Sequence, residues 1–521
     1  MIMKARRWLA ILLAALLSFS LTACSGGEGP ASDPAQPSGS ESSSAESTTP
    51  LTDGTVDVDS TQGSDPSGTT TTAAGNSSGN NTTGKKPDKP VTTTTKTDKT
   101  TAPANPGTVG NAFNIKNGTK SVVDGLNFGG KKFRFAMSGG GANIKTQIRA
   151  FQQKFNCTIE YSDFGWGVYV EKLNGAMAAG EPYDIMFLHT LFYPTNLINN
   201  LAANVEGSIT TADLWDAKNP NKGGISLEVG KALSWNNKMY VMYGARKPAP
   251  EFIYYNKKMF SEAGLEDPYE LYKKGQWTWD KIKTMGKTVT DGQKFMFGQE
   301  LVQYPYSVTL ANGAEFLKIN GNSVKENLTD TKLVNSLKLF QEMTYGNQKI
   351  VSDKGGFQNT DQFIAGNVYM YFADGFQWQS LEPLAKGSNA FGKNSANLGF
   401  VPIPFGSDNK DKVYPIHAFQ GWCAGNGTSD VRAAIAWAIF DSTYTDPVGD
   451  SRPAEFQAMW NAIMDSGKIV APYTGFTSPG GSSDSIALDI AKQVSEGANI
   501  AQLLTAYRDL MQEAIDYNVK K

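Results

Sequence analysis

Between residues 132 and 188 the chain repeats a short apolar run, a loop and an amphipathic stretch, and this rhythm constrains the fold more than any other feature. Lys132-Phe133-Arg134-Phe135-Ala136-Met137 alternates as a strand does, with successive side chains on opposite faces. Ser138-Gly139-Gly140-Gly141 breaks the run, and Ile144, Ile148, Phe151 and Phe155 then recur at helical spacing. Cys157 to Tyr161 predicts a second strand, Asp163-Phe164-Gly165-Trp166-Gly167 a loop, and Tyr169, Leu173 and Met177 a second helix. A turn at residues 178–182 leads into a third strand at residues 183–188. The order β-loop-α-β-loop-α-β predicts an α/β fold with a mainly parallel sheet and helices on its faces. Ligands of such sheets gather beyond the carboxyl ends of the strands, which here are residues 138–141, 163–166 and 189–190. A glycine-rich loop before a helix is also the form of a phosphate cradle, but neither GxGxxG nor GxxxxGK[ST] is present. The glycines are therefore read as allowing a tight turn or a close backbone approach to a ligand.

The first hundred residues follow different rules. Lys4, Arg6 and Arg7 precede a short apolar run at residues 8–21, too short to span a bilayer comfortably, which predicts an export signal over residues 1–23. Leu21-Thr22-Ala23-Cys24 looks like a bacterial lipobox, which implies cleavage before Cys24 and a diacylglycerol on its thiol. Residues 24–107 are Ser, Thr, Gly, Pro and Asn with scattered charges and nothing apolar to offset chain entropy, so they predict a disordered tether. A flexible segment of roughly 80 residues spans on the order of 50 Å. The expected location is the outer face of the cytoplasmic membrane of a single-membrane bacterium, with the folded part standing off through a wall layer.

With 521 residues and a net charge of -2, the chain has no polyelectrolyte character, and it shows no basic stripe interleaved with aromatics that would fit nucleic acid. The 11% aromatic content falls almost wholly outside the tether and fits both a large core and a site for flat apolar faces. Two histidines, His189 and His417, are too few for a multi-histidine metal site, and no cofactor is expected. Cys157 and Cys423 lie in apolar strand-like surroundings and read as buried free thiols, a disulfide being the alternative. In the middle of the chain Phe252, Ile253, Tyr254 and Tyr255 predict a strand buried on both faces, and Asn256 ends it. A short helix with Met259 and Phe260 runs to Gly264, and Thr278 caps a further helix with Asp280 in its first turn.

These pieces, taken in order, resemble a known family. AAGEPYDIMFL, KMYVMYGA, YYNKKMFSEAGLEDP, GQWTWDKIK, LANGAEFL, TDQFIAGNVYMYFADGFQW, LGFVPIPFG and GWCAGNGTSDVRAAIAWAIF cover residues 128–521 in the sequence order of the family 1 extracellular solute-binding proteins. Those are carbohydrate-capturing lipoproteins that serve ABC importers. The resemblance implies a periplasmic-binding-protein-like fold of two α/β lobes with hinge crossovers and a ligand cleft between them. One lobe would comprise residues 108–252 and 403–443, the other residues 253–402 and 444–521. Residues 252–255 and 401–405 would be crossovers, with a third at residues 441–446. The segment YGARKPAPE departs from the family in being rich in proline and basic residues. The implied partners are a carbohydrate and the importer's permease subunits, with the receptor itself a monomer, not an enzyme.

A sugar presents apolar C–H faces edged by hydroxyls, so its site needs aromatic platforms bordered by amides, carboxylates and backbone groups. The candidates are Gly140, Trp166, His189 and Thr190 at strand ends, with Trp235, Arg246, Tyr304, Tyr306, Asn312, Asp374, Phe376, Trp378 and Trp422. The family places a stacking aromatic in the FADGFQW loop, which is Trp378 or else Phe376. Trp422 fits core packing equally well, and Trp279 reads as the residue that packs its helix onto its lobe. His417 lies near the lobe junction. Asp163, Asp184 and Asp374 are the carboxylates that a tethered glycoside hydrolase would need, and a surface adhesion lipoprotein is the other alternative.

Overall fold

The computed structural model describes residues 113–519 apart from 141, 304, 322, 355–359, 445–451, 472–474 and 479–480. The signal, Cys24, the tether and Tyr304 therefore lie outside the described residues.

The first rhythm gives β1 (Lys131–Ser138), β2 (Cys157–Phe164) and β3 (Ile185–His189), joined by helices Ala142–Phe155 and Tyr169–Ala178. β1 pairs in parallel with both β2 and β3. β2 runs three residues further than its apolar pattern predicts, because Ser162, Asp163 and Phe164 stay in register with residues 136–138 of β1. Later segments supply β4 (Val241–Met242), β5 (Ala249–Asn256), β6 (Phe295–Phe297), β7 (Leu317–Asn320), β8 (Ser323–Glu326), β9 (Val368–Asp374), β10 (Leu398–Pro402), β11 (Pro415–His417), β12 (Gln420–Ala424) and β13 (Lys468–Val470).

Two larger sheets result. The first has the order β2-β1-β3-β12-β4, and the second runs β13-β11-β5-β9-β6 with β10 also paired to β5. The first encloses a core of Phe133, Phe135, Phe151, Trp437 and their neighbours. The second separates two cores. Ile253, Tyr255, Met370 and Phe372 face one, and Phe252, Tyr254, Tyr371 and Ala373 face the other. Period-two alternation on both faces explains why all eight residues of β5 are buried.

The capped elements after β5 hold that sheet's framework. Asn256 Oδ1 accepts from Met259 N at 3.1 Å, and Thr278 Oγ1 accepts from Lys281 N at 3.2 Å. Trp279 is buried in the first turn of its helix, and Trp277 Nε1 donates to Pro402 O at 2.9 Å, tying that turn to β10.

The sheets correct the expected crossover positions. β5 enters the second sheet at Ala249, so residues 249–252 belong there and the chain crosses within residues 243–248. Residues 401 and 402 lie inside β10, and β11 keeps the chain in the second sheet to His417. The return passes through Ala418 and Phe419 alone before β12 joins the first sheet. Helix Arg432–Thr443 packs on the first core, whereas Phe456 and Trp460 of helix Ala454–Ser466 belong to the second sheet's. A third crossing therefore lies between them.

The first lobe takes in residues before β1, as its expected start at residue 108 allows. Phe113 is in the first core. Asp213 accepts from Ser121 Oγ at 2.6 Å and Val122 N at 2.7 Å, which sews residues 113–127 onto the first lobe's flank. Cys157 and Cys423 are buried and free.

Candidate functional site

The two crossovers bring the carboxyl edges of the sheets to one place. On the first sheet, β1 ends at Ser138, β2 at Phe164 and β3 at His189. Trp166, just past β2, is 45% exposed, with His189 and Phe192 rings at 5.1 and 5.7 Å. His189 is the cap of the next turn, its Nδ1 accepting from Leu191 N at 3.1 Å. Burial pushes its pKa down to about 4, so the imidazole is neutral. Gly140 N donates to Asp163 Oδ1 at 3.3 Å. A side chain at Gly140 would meet Tyr161 Oη at 2.1 Å, so the close approach expected of this glycine is to the protein's own tyrosine. Thr190 N donates to Phe419 O at 2.7 Å across the return crossover. Ser138 Oγ and Thr190 Oγ1 are buried without a hydrogen-bond partner among the described residues, which is costly unless something supplies one.

On the second sheet the corresponding edge is Asp374. Its Oδ1 accepts from Phe376 N at 2.8 Å, capping the turn that presents Phe376, 48% exposed and 5.5 Å from Trp460. Burial raises the Asp374 pKa to about 6, and Glu251 adds to the rise. The crossover strands connect the two edges. Glu251 of β5 pairs with Asp374, His417 of β11 pairs with Ala249, and Gln420 of β12 pairs with His189. His417 Nδ1 lies 3.0 Å from Glu251 Oε1. Neither group is aligned for a hydrogen bond, and both are buried. Phe419 bridges His417 at 5.2 Å and His189 at 6.4 Å. Trp166, His189, Phe419, His417, Glu251, Asp374 and Phe376 thus form a connected path from one lobe edge to the other.

A family comparison identifies the frame. The family described as bacterial extracellular solute-binding protein matches residues 146–463. The chain belongs to this family. Its members bind solutes and are not enzymes, and the acids available for a hydrolase are otherwise engaged. Asp184 accepts from Arg134 N at 2.8 Å and Thr428 Oγ1 at 2.6 Å, Asp163 holds Gly140, and Asp374 caps its turn.

Solved structures show the same two-lobed fold. The chain is similar to the sugar-binding protein MalE of Xanthomonas citri (13% identity, 74% of this chain and 98% of that one covered, TM-score 0.56). It is also similar to the galacto-N-biose/lacto-N-biose I-binding protein of Bifidobacterium longum in complex with lacto-N-biose (11%, 75% and 98%, 0.55). A Listeria monocytogenes ABC substrate-binding protein in complex with cycloalternan is a third (15%, 74% and 99%, 0.54). No curated protein sequence matches significantly.

Several residues singled out in the sequence are engaged in contacts within this solute-binding protein. Trp378 is 3% exposed in the first turn of helix Trp378–Gly387, packed on Phe400 and Phe456. Trp422 is buried among Phe135, Phe187 and Trp437, and its Nε1 donates to Asp441 Oδ2 at 3.1 Å. Asn312 donates to Lys332 O, Ser336 Oγ and Asp408 Oδ2, each at 3.0 Å, fixing the loop after β10. Arg246 pairs with Asp465 at 2.9 Å and lies over Trp215, a bond from the outgoing crossover to the opposite lobe.

Trp235 and Tyr306 sit between the lobes. Trp235 touches both cores and Phe476. Tyr306 is buried against Phe316 and lines a cavity of about 280 Å³ with Tyr193 and Ser234 of the first lobe and residues 468–471 of the second. Sequence reasoning missed Glu251, Phe419 and Trp460. The signal for Glu251 was present: it is the one acid in a strand otherwise apolar enough to be buried on both faces.

Proposed function

We propose that this chain is a membrane-anchored receptor that captures a sugar or oligosaccharide by closing its two lobes and delivers it to an ABC importer. One observation carries the reading. Each lobe edge presents a half-exposed aromatic, Trp166 on one and Phe376 on the other, and the crossovers link these edges. Aromatic faces suit the C–H faces of a pyranose. The relatives that bind lacto-N-biose and cycloalternan support a carbohydrate as the solute. Gly140, His189, Asp374 and the inter-lobe residues Trp235 and Tyr306 complete the proposed site.

Sugar touching both halves stabilises the closed arrangement by its differential affinity for the two states. The anchor is the lipid on Cys24, with residues 24–107 as tether, the receptor acting as a monomer at the outer membrane face. A thermal-shift screen of mono- and oligosaccharides tests the reading, because a ligand of the native state raises the melting temperature. At least one saccharide should raise it in proportion to the logarithm of its concentration. A panel of neutral, amino and acidic sugars that leaves melting unchanged would overturn the proposal.

A further inference from the structure

The lobes also meet away from the crossings, at Gly475. The chain has by then returned to the second lobe: β13 pairs with β11 in the second sheet, and Phe476 is buried in the core that Ile253 and Phe372 face. Yet Gly475 N donates to Tyr193 O at 2.7 Å, and Thr195 Oγ1 donates to Gly475 O at 2.5 Å. Tyr193 belongs to the first core, and its neighbour Pro194 forms a parallel bridge with Gly475. Both hydrogen bonds therefore join the lobes outside the crossings. Apolar contacts flank them. Ile198, at the end of helix Thr195–Ile198, packs on the second lobe's core, and Ala471 packs on the first lobe's. The rings of Trp235 and Phe476, one from each lobe, have centres 6.2 Å apart.

This contact has room for glycine alone. Gly475 is buried, and a side chain on it would collide with the backbone carbonyl of Leu191. A backbone carbonyl cannot swing aside as a flexible side chain can, so a Cβ would push the two segments apart. The contact also adjoins the proposed site. His189 caps the turn Thr190–Phe192, which runs directly into Tyr193. Tyr193 and Ala471 line the same inter-lobe cavity as Tyr306. Turning the lobes apart at that cavity draws Gly475 away from Tyr193 and breaks both bonds.

We propose that Gly475 is a latch of the closed form: it locks onto residues 193–195 as the lobes close, and so sets sugar affinity as a positioning residue, through the lobe arrangement. The inference rests on hinge closure as the capturing motion. A receptor whose binding-competent form is only partly populated binds more weakly by that fraction. Loosening the latch should therefore weaken capture by the factor by which it depopulates the closed form.

The first arm of the test needs no sugar. In the full chain with Cys24→Ser, spin labels on Lys172→Cys and Lys386→Cys, exposed helix positions on opposite lobes, report the inter-lobe distance. Cys157 and Cys423 are buried and stay unlabelled. The short-distance population should fall about fivefold in Gly475→Ala and in Thr195→Val, which removes one donor. It should hold its parent level in Thr195→Ser, which keeps the hydroxyl. In the second arm, the Kd of a sugar found by thermal shift should rise by the same factor in the same two variants. If Gly475→Ala loses its cooperative melt, the comparison of Thr195→Val with Thr195→Ser decides. Parent-like distances in a folded Gly475→Ala or Thr195→Val overturn the inference. Tighter sugar binding in either also overturns it, since the contact would then brace the open form. A sugar that raises the melting temperature, with a Kd that ignores both substitutions, overturns the latch while sustaining the receptor. Distances that respond in a chain that binds no sugar sustain the latch and overturn the receptor.

Discussion

Glu300 shows how much a single side chain can set. It is 1% exposed, and burial raises its pKa to about 8 even though its carboxylate accepts from Gly298 N at 3.2 Å. The folded state therefore holds a proton that the unfolded chain, at an ordinary carboxylate value, releases near pH 4.5. Stability conferred by this proton is present below about pH 4.5 and is lost as pH rises through about 8. Glu300→Gln should flatten that decline and stabilise the protein at alkaline pH by on the order of a few kcal/mol, read from urea unfolding at several pH values. Trp378 gives a contrasting case. Trp378→Ala should cost about 3–5 kcal/mol of stability, because the ring fills a core, and leave sugar affinity in the folded fraction nearly unchanged. A large affinity loss without destabilisation would return Trp378 to the cleft.

At the scale of elements, helix Arg432–Thr443 is held by one acid near its end. Asp441 accepts from Gln147 Nε2 at 2.8 Å, Trp422 Nε1 at 3.1 Å and Lys247 Nζ at 3.3 Å, joining helix, sheet and outgoing crossover. Asp441→Ala leaves the Gln147 and Trp422 donors buried and should lower stability by roughly 2–4 kcal/mol, measured by denaturant unfolding. Elements of this kind were legible in the sequence where local chemistry decides them. The alternation of β1, the cap at Thr278 and the doubly buried β5 follow from periodicity and capping. The strand ends did not. β2 continues through polar Ser162 and Asp163 because β1 lies beside it, and no local signal shows a neighbour. Trp378 and Phe376 lie two positions apart in one loop, and only the turn capped by Asp374 decides which ring is buried.

Across the whole molecule, the lobe order was legible from the succession of segments, whereas the return crossover expected at residues 401–405 lies at residues 418 and 419. The family resemblance assigned residues 403–417 to the first lobe, yet β11 pairs again with β5 before the chain leaves. Long-range pairing of that kind leaves no trace in composition. The same scale decides where the fold begins. Residues 113–127 pack on the first lobe through Phe113, Ser121 and Val122. Deleting everything before residue 128 should therefore lower the melting temperature by several degrees relative to a cut at residue 107, about 1–3 kcal/mol at this size.

Capture between two lobes is tested most directly by calorimetric titration of the screened sugar into wild type, Trp166→Ala and Phe376→Ala side by side. Both rings are half exposed, so both variants should keep their fold. Each should weaken binding by roughly 1–3 kcal/mol, about fivefold to a hundredfold in Kd, because each lobe supplies one face of the site. Full affinity in either variant would show that one lobe binds the sugar alone, and would contradict capture by closure.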